Sequence, residues 1–94
     1  MIKITETLEY QNRTVLVGEI ITFDSKTELK DDNVYAEIIN LYKYNGGIKI
    51  YVCILDTIDK NHIGSYWYIS INKVTFMSLE EQAGLREVIE VINE

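Results

Sequence analysis

A thiol and an imidazole occur once each in this chain, as Cys53 and His62. Together they are the elements of a base-activated cysteine nucleophile. Nine positions and a polar, loop-like stretch separate them, however, and a single cysteine inside an apolar run reads as packing. One cysteine also rules out an intramolecular disulfide and any multi-cysteine zinc site. Asp31 with Asp32, and Asp56 with Asp59, resemble carboxylate pairs. Neither has the spacing of a calcium loop, and carboxylates in such stretches serve turns. The glycines at 18, 46, 47, 64 and 84 form no phosphate-cradling motif. These residues predict no enzyme, no metal site and no cofactor.

Tyrosine is the sharper signal. Tyr42, Tyr44, Tyr51, Tyr66 and Tyr68, with Asn40, Lys49 and Asn72, fall on alternate positions of two apolar-rich segments. They therefore share one face if both segments are strands of one sheet. Tyrosine offers large, rigid contact area with a polar tip, which suits protein interfaces and stacking on unpaired bases. It is also simply a good strand former on a half-wet surface. A second candidate surface is the ridge of Glu80, Glu87, Glu90 and Glu94. Such a ridge is commonly a solvated helix face, and it can also meet a basic cleft.

The elements that must position these side chains follow from periodicity. Asn45-Gly46 predicts a type I′ hairpin turn, and counting outward from it sets Tyr44 against Gly47, Tyr42 against Lys49, Asn40 against Tyr51 and Ile38 against Cys53. Ile39, Leu41, Ile48, Ile50, Val52 and Ile54 then occupy the buried side. Tyr66 to Asn72 repeats the split, with Trp67, Ile69 and Ile71 opposite the tyrosines. Upstream, Ile2 to Tyr10 reads as one half-buried strand, and Thr14 to Phe23 as a strand apolar on both faces with Gly18 at a bulge. Asp24 to Asn33 is the most loop-like stretch and the expected mobile segment. Ser78 with Glu81 forms a capping box that starts the last element. Leu85, Val88, Ile89 and Ile92, flanked by Val91, form its apolar seam, and Gly84 suggests close packing on a strand. Leu79 and Ala83 fall off the seam. The expected fold is a single α+β domain over residues 1–94, a twisted antiparallel sheet of about five strands with the C-terminal helix packed on its aliphatic face.

Composition fits a folded domain, with hydrophobic residues at 47% and charged residues at 26%, which excludes global disorder. At 94 residues the core is adequate but leaves no room for a large interdomain cleft. Fifteen acidic against nine basic residues give a formal charge of −6, which disfavours phosphate backbones and anionic membranes and favours a protein partner with a basic surface. The opening residues lack the pattern of a secretory signal, no apolar run spans a bilayer, and a cytoplasmic protein is expected. Abundant Ile, Asn, Lys and Tyr without proline suggests AT-rich coding sequence of a low-GC bacterium or its mobile elements.

The order of strands followed by a capped helix, with Ser78-Leu79-Glu80-Glu81-Gln82 at the junction, resembles the positive-cofactor type of single-stranded-DNA-binding coactivator domain over about sixty residues. That family's basic residues at the strand tips and its lysine-glycine step are missing here, so no site carries over. The reading favoured by charge, size and the tyrosine face is a non-enzymatic interaction protein that binds and inhibits a larger protein. Its concrete form is a phage or mobile-element inhibitor of a nucleic-acid-handling host system, of the anti-CRISPR kind. The alternative is a single-stranded nucleic-acid-binding module using the same tyrosines. Exposed tyrosines and an unpaired strand edge also predict a homodimer.

Overall fold

The computed structural model describes residues 1–92, with side chains through residue 90. The order is β1 (Ile2–Lys3), β2 (Leu8–Tyr10), β3 (Arg13–Val15), β4 (Ile20–Ser25), β5 (Asp31–Tyr44), β6 (Gly47–Asp56), β7 (Tyr66–Ser70), β8 (Val74–Phe76) and α1 (Leu79–Ile92), with 3₁₀ turns at Lys60–His62 and Ile71–Lys73. The strands form an antiparallel sheet in the order β7-β6-β5-β4-β8, with β1 also on β5, and β2 and β3 make a separate hairpin. The α+β class, the antiparallel sheet and the single C-terminal helix are those the sequence predicts.

The long strand β5 organises everything. Its Asn45-Gly46 turn has both residues at positive φ, 46° and 77°, as a type I′ turn requires. The predicted register holds from Tyr44↔Gly47 through Asn40↔Tyr51, after which it shifts: Ile38 faces Val52 and Glu37 faces Cys53. The cause is a β-bulge at Ile39, which adds one residue to β5 and reverses its inside-outside parity. Ile38 is therefore buried with Val34 and Ala36, and Ile39, expected inside, is only half-buried. The bulge also separates two neighbours on the other side of β5, with β4 along Val34–Glu37 and β1 at Tyr42 and Lys43.

Three upstream readings are corrected. Ile2 to Tyr10 is two short strands on different partners. Thr14 to Phe23 is not one strand either, because Gly18 adopts φ +95°, a left-handed conformation that glycine accepts readily and that turns the chain. The turn is locked by the Glu19 carboxylate, which accepts from the Leu16 N–H at 2.8 Å and from Arg13 at 2.8 Å. Asp24 to Asn33 is no loose loop: β4 runs to Ser25, β5 starts at Asp31, and Leu29 between them is a buried core residue. A strand without a predicted counterpart, β8, pairs with β4.

One continuous core fills the inner face, built from β4, β5, β6 and β7 together with Val15, Leu29 and Ile71. The β2–β3 hairpin closes it with Leu8 and Tyr10 packed against the cluster, Tyr10 lying 6.4 Å from Phe76 and the Arg13 guanidinium 4.3 Å from the same ring. These contacts add to area burial through ring-edge and cation–π attraction.

The helix starts as its capping residues predict: Ser78 Oγ accepts from the Glu81 N–H at 3.2 Å and donates to the Glu81 carboxylate at 3.0 Å. Its mooring is polar. Gln82, a buried residue of the helix, accepts from the Ile20 N–H at 2.9 Å and donates to the Met77 carbonyl at 3.0 Å. One turn on, Arg86 donates to the Gly18 carbonyl and meets Glu37 at 3.4 Å. Ile20 and Glu37 are cross-strand partners on the side opposite the Ile21–Ala36 pair, so these contacts fasten α1 at the margin of the outer face. The expected packing of the helix on the aliphatic face is thereby corrected: no described residue of α1 joins the aliphatic core. There Leu85 and Ile89 are half-buried and Val88 is exposed. Nothing lies within 4 Å of where a Gly84 Cβ would sit, so close packing is not the reason for that glycine. Ile92, Val91 and Glu94, the remaining members of the predicted seam and ridge, lie outside the residues whose side chains are described.

Candidate functional site

The outer face of the β5–β6–β7 ladder carries the tyrosines because alternation sends the aliphatic residues inward. Tyr42 pairs with Lys49 across β5 and β6, Tyr51 with Tyr68 across β6 and β7, and Cys53 with Tyr66 beside them. The rings form a tract. Tyr51 stacks on Tyr66 at 5.4 Å with planes 14° apart, meets Tyr68 at 4.6 Å, and Tyr68 reaches Tyr42 at 5.9 Å. Tyr44 extends the tract toward the hairpin tip, with the Lys49 ammonium 4.9 Å from its ring centre. Such spacings are those of favourable aromatic pairs.

The tract is wet. Tyr66 is 57% exposed, Tyr68 48% and Tyr44 44%, while Tyr42, Tyr51 and Lys49 are half-buried by their neighbours. Asn72 does not join them. The strand ends at Ser70 and the following 3₁₀ turn carries Asn72 to the hairpin tip, beside Gly46 and Gly47. Glu80, Glu87 and Glu90 are all exposed on α1. Because Arg86 is tied to Glu37, and Glu37 pairs with Cys53, which pairs with Tyr66, the helix is moored on the tyrosine side of the sheet. The tyrosine tract and the helix that carries the predicted glutamate ridge thus lie on the same side of the sheet.

The chain matches no protein-family model, no curated protein and no solved structure.

The catalytic candidates are not brought together. The His62 ring lies 3.6 Å from Asp59, and the Cys53 thiol points toward the Ile54 carbonyl at 4.0 Å. Burial, followed by the negative charge of Glu37, pushes the Cys53 thiol above its ordinary value, against a lowering hydrogen bond from Tyr66. A protonated thiol is a poor nucleophile. Three of the four paired carboxylates, all but the exposed Asp32, are engaged in structure. Asp56 holds Lys60 at 2.6 Å, and Asp59 accepts from the Asn61 N–H at 3.0 Å. Asp31, now a buried residue, accepts from the Thr57 hydroxyl and the Ile58 N–H at 2.9 Å each and from the Asn33 N–H at 3.0 Å. Burial works to raise its pKa, but those three hydrogen bonds and the charge of Lys60 outweigh it and hold the carboxyl below its usual value. Asp31 is a clasp between the start of β5 and the β6–β7 connection. Among the described residues no three carboxylate, histidine or cysteine side chains converge as a metal site.

Two features escaped prediction. Glu19, Arg13 and Gln82 form a buried polar junction between the β3–β4 turn and α1; a lone glutamate in an apolar run was its one sequence cue. Beside it Leu16, Val17, Leu79 and Ala83 line a shallow apolar surface, with Leu79 80% exposed. The displacement of Leu79 and Ala83 from the helix seam was the legible trace of that surface.

Proposed function

We propose that this chain is a non-enzymatic binding domain that docks on, and thereby inhibits, a larger protein through its tyrosine tract. The observation that carries this reading is the continuous set of ring contacts from Tyr66 through Tyr51 and Tyr68 to Tyr42, which leaves tyrosine edges and hydroxyls facing water. Rings already held against one another lose little freedom on binding, and tyrosine is a preferred interface anchor. The exposed glutamates of α1, moored on the same side, together with the charge of −6, favour a partner with a basic surface and speed its approach. A cytoplasmic inhibitor of a nucleic-acid-handling host system, of the anti-CRISPR kind and carried by a phage or mobile element, is the specific form proposed. Among the described residues no helix is long and apolar enough to cross a membrane.

The test is a pair of measurements on the tagged chain. Capture of a partner from host lysate should be lost by the Tyr42→Ser, Tyr68→Ser protein, and titration with single-stranded DNA or RNA at moderate salt should show no binding at micromolar concentration. Salt-sensitive micromolar binding to either nucleic acid would replace this reading with that of a single-strand-binding module, in which bases stack on the same rings.

A further inference from the structure

The strand β7 is an edge of the sheet, and its outward side has no main-chain partner among the described residues. Donation from the Ile54 N–H to the Ser65 carbonyl sets the phase of the β6–β7 ladder. In the antiparallel alternation that follows, Trp67 and Ile69 bond to β6, and the N–H and C=O groups of Tyr66, Tyr68 and Ser70 point outward. Natural edges are blunted by lysine, proline or bulges within the strand. The sequence of β7, Tyr66-Trp67-Tyr68-Ile69-Ser70, has no charge and no proline. At the opposite end of the sheet β8 has three residues and offers far less edge.

We infer that the outward edge of β7 is a docking slot for an extended peptide segment of a protein partner, which adds to the sheet as a further strand. The edge opens into a cleft of about 280 Å³ whose far wall is the β4–β5 turn from Asp24 to Glu28. A wall facing the edge favours a narrow segment over the flank of a whole second globule. The lining dictates the segment's chemistry. Phe23, Trp67 and Ile69 supply an apolar side, and Lys49 and Lys73 line the cleft with Glu28, Lys49 also lying against the Tyr44 ring, while Lys26 is engaged by Asp24 at 3.4 Å. Side chains of an added strand alternate between faces, so the slot fits a segment alternating apolar and carboxylate residues. This deepens the protein-binding reading and does not need the tyrosine rings themselves.

Amide hydrogen exchange tests it, with a capped hexapeptide of alternating Val and Glu as the probe. In the free protein the Trp67 and Ile69 amides should exchange slowly and those of Tyr68 and Ser70 fast. With peptide at about ten times its Kd, exchange at Tyr68 and Ser70 should slow about tenfold. Ser70→Pro is the matching variant. Ser70 already has φ −66°, the proline value, and its N–H points outward, so the fold should stay intact while the peptide loses its effect on Tyr68. Unchanged Tyr68 exchange in the wild-type protein, or equal protection in Ser70→Pro, would overturn the slot. So would protection that grows with protein concentration without peptide, which would give the edge to a second copy. The two surfaces separate cleanly: a partner lost by Ser70→Pro supports the slot, and a partner kept by Ser70→Pro but lost by Tyr42→Ser with Tyr68→Ser removes the slot while leaving the tyrosine reading standing.

Discussion

The two faces of the β5–β6–β7 ladder are made by the same strands and the same alternation, yet they do opposite things with their side chains. On the inner face Ile38, Ile50, Val52 and Ile54 are fully covered, and every methylene removed from water there favours folding by the hydrophobic effect. On the outer face the tyrosines touch one another and still face solvent. What the comparison teaches is that the inner face holds the fold together, whereas the outer face keeps large apolar area unspent.

The comparison is broken most severely from the inside. Ile38→Ala removes a side chain with no exposure at the residue before the bulge, and should cost about 2–5 kcal/mol by denaturant unfolding. A loss under about 1 kcal/mol would mean that the parity assigned to the bulge is wrong. Asp31→Ala should come next, at about 3 kcal/mol, because it strands the buried Thr57 hydroxyl and the Ile58 N–H. Its pH signature follows from a folded pKa held below the unfolded one. The stabilisation is complete above the unfolded carboxyl value, near pH 4, and disappears as pH falls through the folded value. Asp31→Asn should therefore flatten the acid limb of the stability curve, and an unchanged limb would deny the clasp.

Smaller effects sharpen the contrast on the exposed side. Gly84→Ala should stabilise by about 1 kcal/mol, since the added methyl meets open space and alanine is the better helix former; a destabilised protein would show that α1 is packed more tightly than described. Reversing Glu87 and Glu90 to lysine should leave stability within about 0.5 kcal/mol. Partner association should slow and lose its salt dependence, with the dissociation rate nearly unchanged.

Much of this architecture is legible in the residues, and the illegible parts have physical reasons. Asn45-Gly46 announces its turn because few residue pairs tolerate two positive φ angles, and from it the tyrosine tract follows by counting. The bulge does not announce itself: Ile38 and Ile39 are equally apolar, so hydropathy cannot tell which one turns inward. The run from Thr14 to Phe23 hides a reversal because Leu16 and Val17, exposed on the turn, look like strand residues. Gln82 does not stand out because an amphipathic pattern selects apolar positions, whereas the helix is moored by an amide and a guanidinium. Likewise β8 is only three residues long and gains its identity from β4, not from its own sequence.

The central claim is that the tyrosine tract is a binding surface and not a second core. Its most direct test is to measure the unfolding free energy and the partner affinity of the Tyr42→Ser, Tyr68→Ser protein side by side. Stability should fall by about 1–3 kcal/mol, the cost of breaking the Tyr42–Tyr68 and Tyr51–Tyr68 ring pairs, and the protein should stay folded, while affinity falls about thirtyfold or more, the effect of losing at least one anchor worth about 2 kcal/mol. A protein that unfolds, or one that keeps its partner at full affinity, would contradict it.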